Sequence, residues 1–356
     1  MSYIKKPSAR NPSLKPNALG LTVRDYEGVM STLCAGCGHD SITAAITRAF
    51  YELDVPPHMV AKLSGIGCSS KTPTYFLSGA HGFNSAHGRM PAILTGASAA
   101  NRDLTYIGVS GDGDSLSIGL GQMAHAIRRN VDALYVLENN GVYGLTKGQF
   151  SASADPGSKS KYGETNPQQA MDPVLLALSL GATFVARSFS GDKSQLVPIL
   201  KAALAHRGFA LVDVISPCVT FNDHEGSTKS YRYTRQHDQE VVEADWIPPD
   251  FVPPAGEITA DYAAGTSADV TLHDGSVVRF TKIPEGYDPG DRDAVVSYVR
   301  RKRTAGVVPT GLLFLDPGGS EMHAANRTVA TPLAQLPYES LCPGAAALDA
   351  LQRSYR

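Results

Sequence analysis

The stretch TYIGVSGDGDSLSIGLGQMAHAIRRNVDALYVLEN (105–139) decides the fold. It opens on a β-branched and aromatic run, TYIGVS (105–110), and closes on a second apolar run, ALYVLEN (133–139). Between them, Leu116 to Arg129 reads as a helix, so the whole is a strand–helix–strand unit. The rhythm continues downstream. Pro173 to Leu180 reads as a helix, ATFVARS (182–188) as a strand, Asp192 to His206 as a helix with a good N-terminal cap residue, and ALVDVIS (210–216) as a strand. Upstream, Ile42, Ala45, Ile46, Ala49, Phe50 and Leu53 recur at helical spacing, and Met59 to Leu63 reads as a short strand entering SGIGCSSK (64–71). The expected fold class is α/β, a mainly parallel sheet with helices on both faces. Ligands of such sheets sit at the carboxyl ends of strands. The Gly-rich and Cys-bearing motifs fall there, after Leu63, Ser110, Glu138 and Ser216.

Outside this core the pattern changes. Residues 1–24 hold three prolines and no period, and read as an extended arm on a partner surface or simply mobile. The α/β domain is expected over 25–247. The proline-rich IPPDFVPPAG (247–256) breaks the rhythm, and 248–356 reads as a C-terminal appendage covering the core or an interface. Within it, VTLHDGSVVRF (270–280) reads as a hairpin with an Asp-Gly turn, Asp291 to Arg303 as a helix and TGLLFL (310–315) as a strand.

Of the 356 residues, 42% are apolar, and the net charge is −2. That supports a soluble globular protein with a sizeable core and gives no basic field for nucleic acid. The N-terminal segment lacks the apolar core of a secretory signal, and Val174 to Ala186 is too short to span a bilayer. The expectation is a cytoplasmic chain without a membrane anchor. Five cysteines in such a chain point to metal or redox use rather than disulfides.

GDGDS (111–115) and the Asn139–Asn140 pair end adjacent expected strands, with 25 residues between Gly113 and Asn139. This resembles the thiamine diphosphate signature. A carboxylate on one strand end and an amide oxygen on the next can flank one Mg²⁺ and leave positions for two diphosphate oxygens and a water. Glycines let the backbone approach the phosphates, and a helix starting near Ser115 would point free N–H groups at them. By resemblance, the Mg²⁺ ligands are the side chains of Asp112 and Asn140 and the carbonyl of Val142. The plain alternative is a Gly/Asp turn beside an unrelated Asn-Gly turn. A sharper rival is G-x-G-x-x-A at Gly119, Gly121 and Ala124 with Glu138 beyond, which imitates a dinucleotide fingerprint. That fingerprint should begin at the strand–helix turn, whereas Gly119 falls past it.

Cys34 and Cys37 form CxxC in LCAGCGH (33–39), Cys68 lies in SGIGCSSK and Cys218 in SPC (216–218). CxxC alone also serves zinc and thioredoxin-like chemistry, and single buried thiols often only fill space. Four cysteines, three of them directly beside Gly or Pro, in loops at one end of a sheet can cage a [4Fe–4S] cluster. Cys342 lies in the appendage and reads as a bystander.

LCAGCGH, SGIGCSSK, HGR (87–89), GDGD (111–114), NNGVYGLTKGQ (139–149) and SPC occur in the same order in the β subunits of 2-oxoacid:ferredoxin oxidoreductases, and the chain resembles that family from about residue 30 to 240. The resemblance implies that Cys34, Cys37, Cys68 and Cys218 bind a [4Fe–4S] cluster. It places Gly36, Gly38, His39, Gly67, Ser69, His87 and Gly88 at the cofactors, with Gly111, Asp112, Gly113 and Asp114. Asn140, Val142, Gly144, Leu145 and Thr146 complete the set. Lys71, His87 and Leu145 are the residues it places at the reacting centre, Lys71 for the substrate's charge or carbonyl.

The reaction implied is CoA-dependent oxidative decarboxylation of a 2-oxoacid, with electrons passed to ferredoxin. The favoured substrate is 2-oxoglutarate, giving succinyl-CoA, with pyruvate as alternative. The carboxylate that activates the cofactor's aminopyrimidine is expected from a partner α subunit, in an α₂β₂ assembly, so this chain alone should be inactive. The rival readings are a non-redox thiamine-dependent decarboxylase or carboligase, and a non-catalytic scaffold with structural zinc.

Overall fold

The computed structural model describes residues 11–247, 266–272, 275–282 and 287–355. After helix α1 (Gly38–Glu52) come strand β1 (Val60–Ser64), a 3₁₀ segment (Ser69–Thr74), β2 (His81–Asn84), α2 (Met90–Ala100) and β3 (Thr105–Gly111). A π turn (Asp114–Ile118), α3 (Leu120–Arg128) and β4 (Ala133–Asn139) complete the unit read first in the sequence. A small ribbon, β5 (Val142–Tyr143) with β6 (Gln149–Phe150), leads to α4 (Pro173–Leu180), β7 (Phe184–Phe189), α5 (Lys193–Ala205) and β8 (Phe209–Ile215). Then follow α6 (Tyr231–His237), β9 (Asp238–Ile247), β10 (Ser267–Thr271), β11 (Val277–Lys282), α7 (Arg292–Thr304) and β12 (Val308–Leu315). Short helices α8 (Met322–Asn326), α9 (Tyr338–Leu341) and α10 (Ala345–Ser354) end the chain.

Ten strands form one sheet in the order β10-β11-β9-β12-β7-β8-β4-β3-β1-β2. From β7 to β2 every neighbouring pair is parallel. Parallel strands need covering on both faces, and β1, β4, β7 and β8 are buried along their whole length. Helices α1 and α5 pack together as one cover, and α2, α3, α4 and α7 form a second row. Helix starts follow the sequence closely. Asp172 accepts from the N–H groups of Val174 and Leu175 with Pro173 in the first turn, and Asp192 and Asp291 cap α5 and α7 in the same way.

Three expectations change. The helix read from Leu116 to Arg129 is split, with a π turn before α3. Gly119 N–H donates to Asp114 O at 2.9 Å, closing the wide turn. A Cβ on Gly119 would meet that oxygen at 2.4 Å, so the turn requires glycine there. Next, the boundary at 248 is not a boundary of the sheet. β12 lies between β7, to which it is antiparallel, and β9, to which it is parallel. The apolar TGLLFL is a strand buried on both faces, and such a strand needs a neighbour on each side. The expected hairpin is β10 with β11, its tip at 273–274 and the proline-rich segment 248–256 lying outside the described residues. Third, the described part of the N-terminal arm lies on this chain's own α1. Asn17 Nδ2 donates to Tyr51 O at 3.1 Å, Tyr51 Oη to Lys15 O at 2.9 Å, and Ala18 N–H to Asp54 Oδ1 at 2.9 Å. Residues 1–10 of the arm lie outside the described residues.

One buried ion network joins the middle of the sheet to α4. Arg187 on β7 donates Nε to Asp213 Oδ2 on β8 at 2.8 Å and Nη2 to Asp172 Oδ1 at 2.6 Å. Burial alone would raise the Asp172 carboxyl, but the Arg187 charge beside it holds it below the ordinary aspartate value. Replacing Arg187 by Met leaves two buried carboxylates without their cation. We expect Arg187→Met to cost about 3–5 kcal/mol in denaturant unfolding, and a loss below about 1 kcal/mol would contradict this role.

Candidate functional site

The loops leaving the carboxyl ends of β1, β3 and β4 meet at one cleft. Ile66, Gly67, Cys68 and Ser69 come from the first, Gly111 to Asp114 from the second, and Asn140 with Val142 to Thr146 from the third. His39, at the start of α1, and His87, just before α2, close the ends. The glycines permit this convergence: a Cβ on Gly113 would lie 2.4 Å from the Tyr143 ring.

Asp112 is buried, with its Oδ2 saturated by donors. Gly141 N–H donates at 3.1 Å, Ser153 Oγ at 2.5 Å, and Ser151 Oγ donates as well. Among the described residues, no hydrogen bond reaches Oδ1. Burial raises the carboxyl above its ordinary value, and the two serine hydroxyls pull it part of the way back. A buried carboxylate oxygen on a cleft wall, without a donor, suits a hard divalent cation, which would offset the remaining desolvation. Asn140 lies opposite on the cleft wall, its Oδ1 accepting from Val142 N–H at 3.0 Å. The preceding Asn139 is still in the strand and faces away, donating Nδ2 to Asp213 Oδ1 at 3.0 Å. The donor set fits Mg²⁺: Asp112, Asn140 and Val142 all line this cleft.

Asp114 also lines the cleft, but its oxygens are occupied. Oδ1 accepts from Gly88 N–H at 2.7 Å, from Ile66 N–H at 3.2 Å and from His87 Nδ1, and Oδ2 from Ser110 Oγ at 2.7 Å. It is a clamp between loops rather than a free ligand. Gly88 is held by this clamp, behind the cleft wall. With His87 Nδ1–H donating to Asp114, Nε2 has no partner among the described residues.

The other cysteines lie near Cys68, which itself reaches the cleft wall. Cys37 caps α1, and its N–H donates to Cys34 O at 3.0 Å; Gly38 N–H donates to Pro217 O at 3.3 Å, joining the CxxC loop to the loop of Cys218. A Cβ on Gly144 would lie 3.4 Å from Cys68 Sγ and 3.6 Å from Cys218 Sγ. Cys34 carries charge influence onto Cys68 and Cys218, and Cys218 onto Cys37. Burial pushes the Cys37 thiol up to about 12 and raises Cys68 and Cys218, so these groups become thiolates only beside strong positive charge. Among the described residues, no three His, Cys, Asp or Glu side chains gather tightly enough for one metal ion. A cluster offers a separate iron to each thiolate and holds the sulfurs farther apart than a single ion does. Four thiols brought by separate loops to one wall could each take one iron of an iron–sulfur cluster.

Several residues stand elsewhere than expected. Lys71 is not on the cleft wall. The 3₁₀ segment buries Ser69 and Thr72 at a spacing of three, and Lys71 lies near enough to Cys68 for its charge to offset part of the rise that burial gives the thiol. Gly36, at φ +80°, and Gly38, whose Cβ would meet Ser216 Oγ at 2.5 Å, shape the cysteine loop and not the cleft. Glu138 is fully buried, with Thr72 Oγ1 donating to its oxygens at 3.0 and 3.2 Å, so it is unavailable to a ribose. Burial raises Glu138 well above the usual carboxylate range and lowers His39 to about 4; the two side chains lie 3.6 Å apart. Ser151, Ser153, Ile66 and Tyr143 were not anticipated. Ile66, inside SGIGCSSK, and Tyr143, inside NNGVYG, stood in motifs that could have signalled them; Ser151 and Ser153 did not.

Ile66 on the cleft, Ile118 beside Gly88, Phe83 on β2 and Ile93 on α2 are exposed apolar side chains.

Comparison with known proteins agrees with this geometry. Residues 65–214 match the family described as thiamine pyrophosphate enzyme, C-terminal TPP binding domain. The chain is 43% identical over 216 residues to a 2-oxoacid:ferredoxin oxidoreductase subunit beta of Sulfolobus, covering 60% of this chain and 68% of that protein. It is 44% identical over 194 residues to the 2-oxoglutarate oxidoreductase subunit KorB of Mycobacterium tuberculosis, 53% of this chain and 51% of that one. A chain of the 2-oxoglutarate:ferredoxin oxidoreductase from Magnetococcus marinus, solved with 2-oxoglutarate, coenzyme A and succinyl-CoA bound, superposes with a TM-score of 0.71 at 30% identity. That superposition covers 93% of this chain and 97% of the other. Sequence, shared length and fold together show that the chain belongs to the 2-oxoacid:ferredoxin oxidoreductase family, as a β subunit.

Proposed function

We propose that this β subunit carries thiamine diphosphate, Mg²⁺ and a [4Fe–4S] cluster. On this reading it converts 2-oxoglutarate and coenzyme A to succinyl-CoA and CO₂, with electrons passed to ferredoxin. The observation that carries the reading is Gly144. One face of its backbone lines the cleft of Asp112 and Asn140, and its missing side chain leaves Cys68 and Cys218 against the same wall. Two sites that share one residue suit a reaction whose electrons leave singly from the place where the carboxylate is lost.

Bound in the cleft, thiamine diphosphate supplies the electron sink for decarboxylation, and the cluster behind it supplies the one-electron acceptor. The chain's own residues hold and orient. Asp112 Oδ1, the Asn140 side chain and the Val142 carbonyl would hold Mg²⁺, while Ser151 and Ser153 fix Asp112 from behind. Gly67, Ser69, Gly111 and Gly113 bring backbone and a hydroxyl to the diphosphate. Gly144 and Thr146 border its other side, and Leu145 limits water at the mouth. Asp114 fixes the His87 tautomer, leaving Nε2 to meet a phosphate or the substrate. Lys71, beside Cys68, favours the thiolate form and so acts on the cluster side of the wall.

The exposed Ile66, Phe83, Ile93 and Ile118 form the face on which an α subunit would complete the cleft, in an α₂β₂ assembly placed in the cytoplasm. The names of the Mycobacterium and Magnetococcus proteins favour 2-oxoglutarate; the broader name of the Sulfolobus protein leaves pyruvate as the second substrate to assay.

Two variants of the assembled enzyme test the two halves separately. Asp112→Ala removes a metal ligand and should weaken thiamine diphosphate binding at least about 100-fold in calorimetry while iron content stays unchanged. Unchanged affinity would remove Asp112 from the metal site. Cys218→Ser should abolish the broad visible absorbance of the cluster while thiamine diphosphate still binds. An unaltered spectrum would show that Cys218 is not a ligand.

A further inference from the structure

We propose that the basic face around Cys34 is the docking surface for the electron acceptor, a small protein with an acidic face. The proposal rests on the reading that the four cysteines hold a cluster. Cys34 is exposed, whereas Cys37, Cys68 and Cys218 are half-buried, so its corner is where electrons reach solvent.

Cations flank that corner on both sides. Thr220 Oγ1 lies 3.5 Å from Cys34 Sγ and belongs to an open groove lined also by Lys147, Lys159 and Lys161. Through His224, Glu225 and Gly226 the groove runs into a second shallow depression bearing Arg232 and Arg235. Arg235 sits over the Tyr231 ring at 5.5 Å, and Tyr231 Oη donates to Gly36 O in the CxxC loop at 3.1 Å, tying this side to the cysteines as well. All five cationic side chains are exposed, and among the described residues none forms a salt bridge. The carboxylates lining the two depressions are Asp223 and Glu225, and Asp223 already accepts from Tyr231 N–H at 2.9 Å.

The shape favours a protein over coenzyme A. A phosphate site draws several donors onto one point, often with backbone N–H groups. Here the cations are spread along an open surface on either side of an exposed cysteine. Electron-transfer partners bind through small footprints that charge steers and orients.

The test uses the assembled α/β holoenzyme and the variant Lys159→Glu/Lys161→Glu/Arg235→Glu. Calorimetric titration with an acidic, oxidised ferredoxin should give at least a tenfold weaker Kd at low salt and a much flatter dependence on salt. Reduction of methyl viologen by 2-oxoacid and coenzyme A should be unchanged, which shows that folding and chemistry are intact. Equal Kd and equal salt dependence in variant and wild type would overturn the proposal. A raised KM for coenzyme A with ferredoxin binding intact would overturn it too, assigning the groove to that cofactor's phosphates. A wild-type complex without iron would instead sink the cluster reading beneath it.

Discussion

Asp114 is the group on which the arrangement of the site depends. Its two oxygens receive four donors, from Ile66 after β1, His87 and Gly88 before α2, and Ser110 at the end of β3. A buried carboxylate is stable only when its lone pairs are used, and here their use fixes three loops against one another. The fit leaves no space: a Cβ on Gly65 would fall 1.7 Å from Asp114 Oδ2. Asp112, two residues earlier, is thereby presented to the cleft with Oδ2 held by serines and Oδ1 without a donor. The π turn that begins at Asp114 belongs to the same construction, since its closing residue Gly119 also packs against Gly88.

The second organising feature is the thinness of the wall between cleft and cysteines. β4 supplies Glu138 facing inward to Thr72, Asn139 facing Asp213, and then the turn carrying Asn140 and Gly144. Glu138 and His39 are both buried beside this strand end, and burial pushes each towards its neutral form. On the proposed reading, the irons of a bound cluster would supply the positive charge that the raised thiols lack, with Lys71 assisting at Cys68.

Much of this was legible in the sequence because it is local. Strand–turn–helix rhythm gave β3, β4, β7 and β8 within a residue or two, and the motif loops lie at the strand ends where that rhythm put them. Of the dinucleotide-like pair, Gly119 closes a π turn and Glu138 is fully buried. What the sequence hid is non-local. A π turn of five residues is too short to show a period of its own. Ser151 and Ser153 reach Asp112 from 39 and 41 residues away, with no motif to announce them. β12 reads as an isolated apolar run, and only the fold shows it wedged between β7 and β9. Lys71 was placed by its position in a motif, whereas the three-residue period of its segment buries Ser69 and Thr72 instead.

The account stands on two cofactor sites sharing one wall in one chain. The most direct measurement is iron, acid-labile sulfide and thiamine diphosphate per β chain, after anaerobic purification with the α subunit. The account predicts about four irons, about four sulfides and one thiamine diphosphate. Zinc, or no metal at all, in a protein that still holds thiamine diphosphate would contradict it, and would leave a non-redox decarboxylase or carboligase in its place.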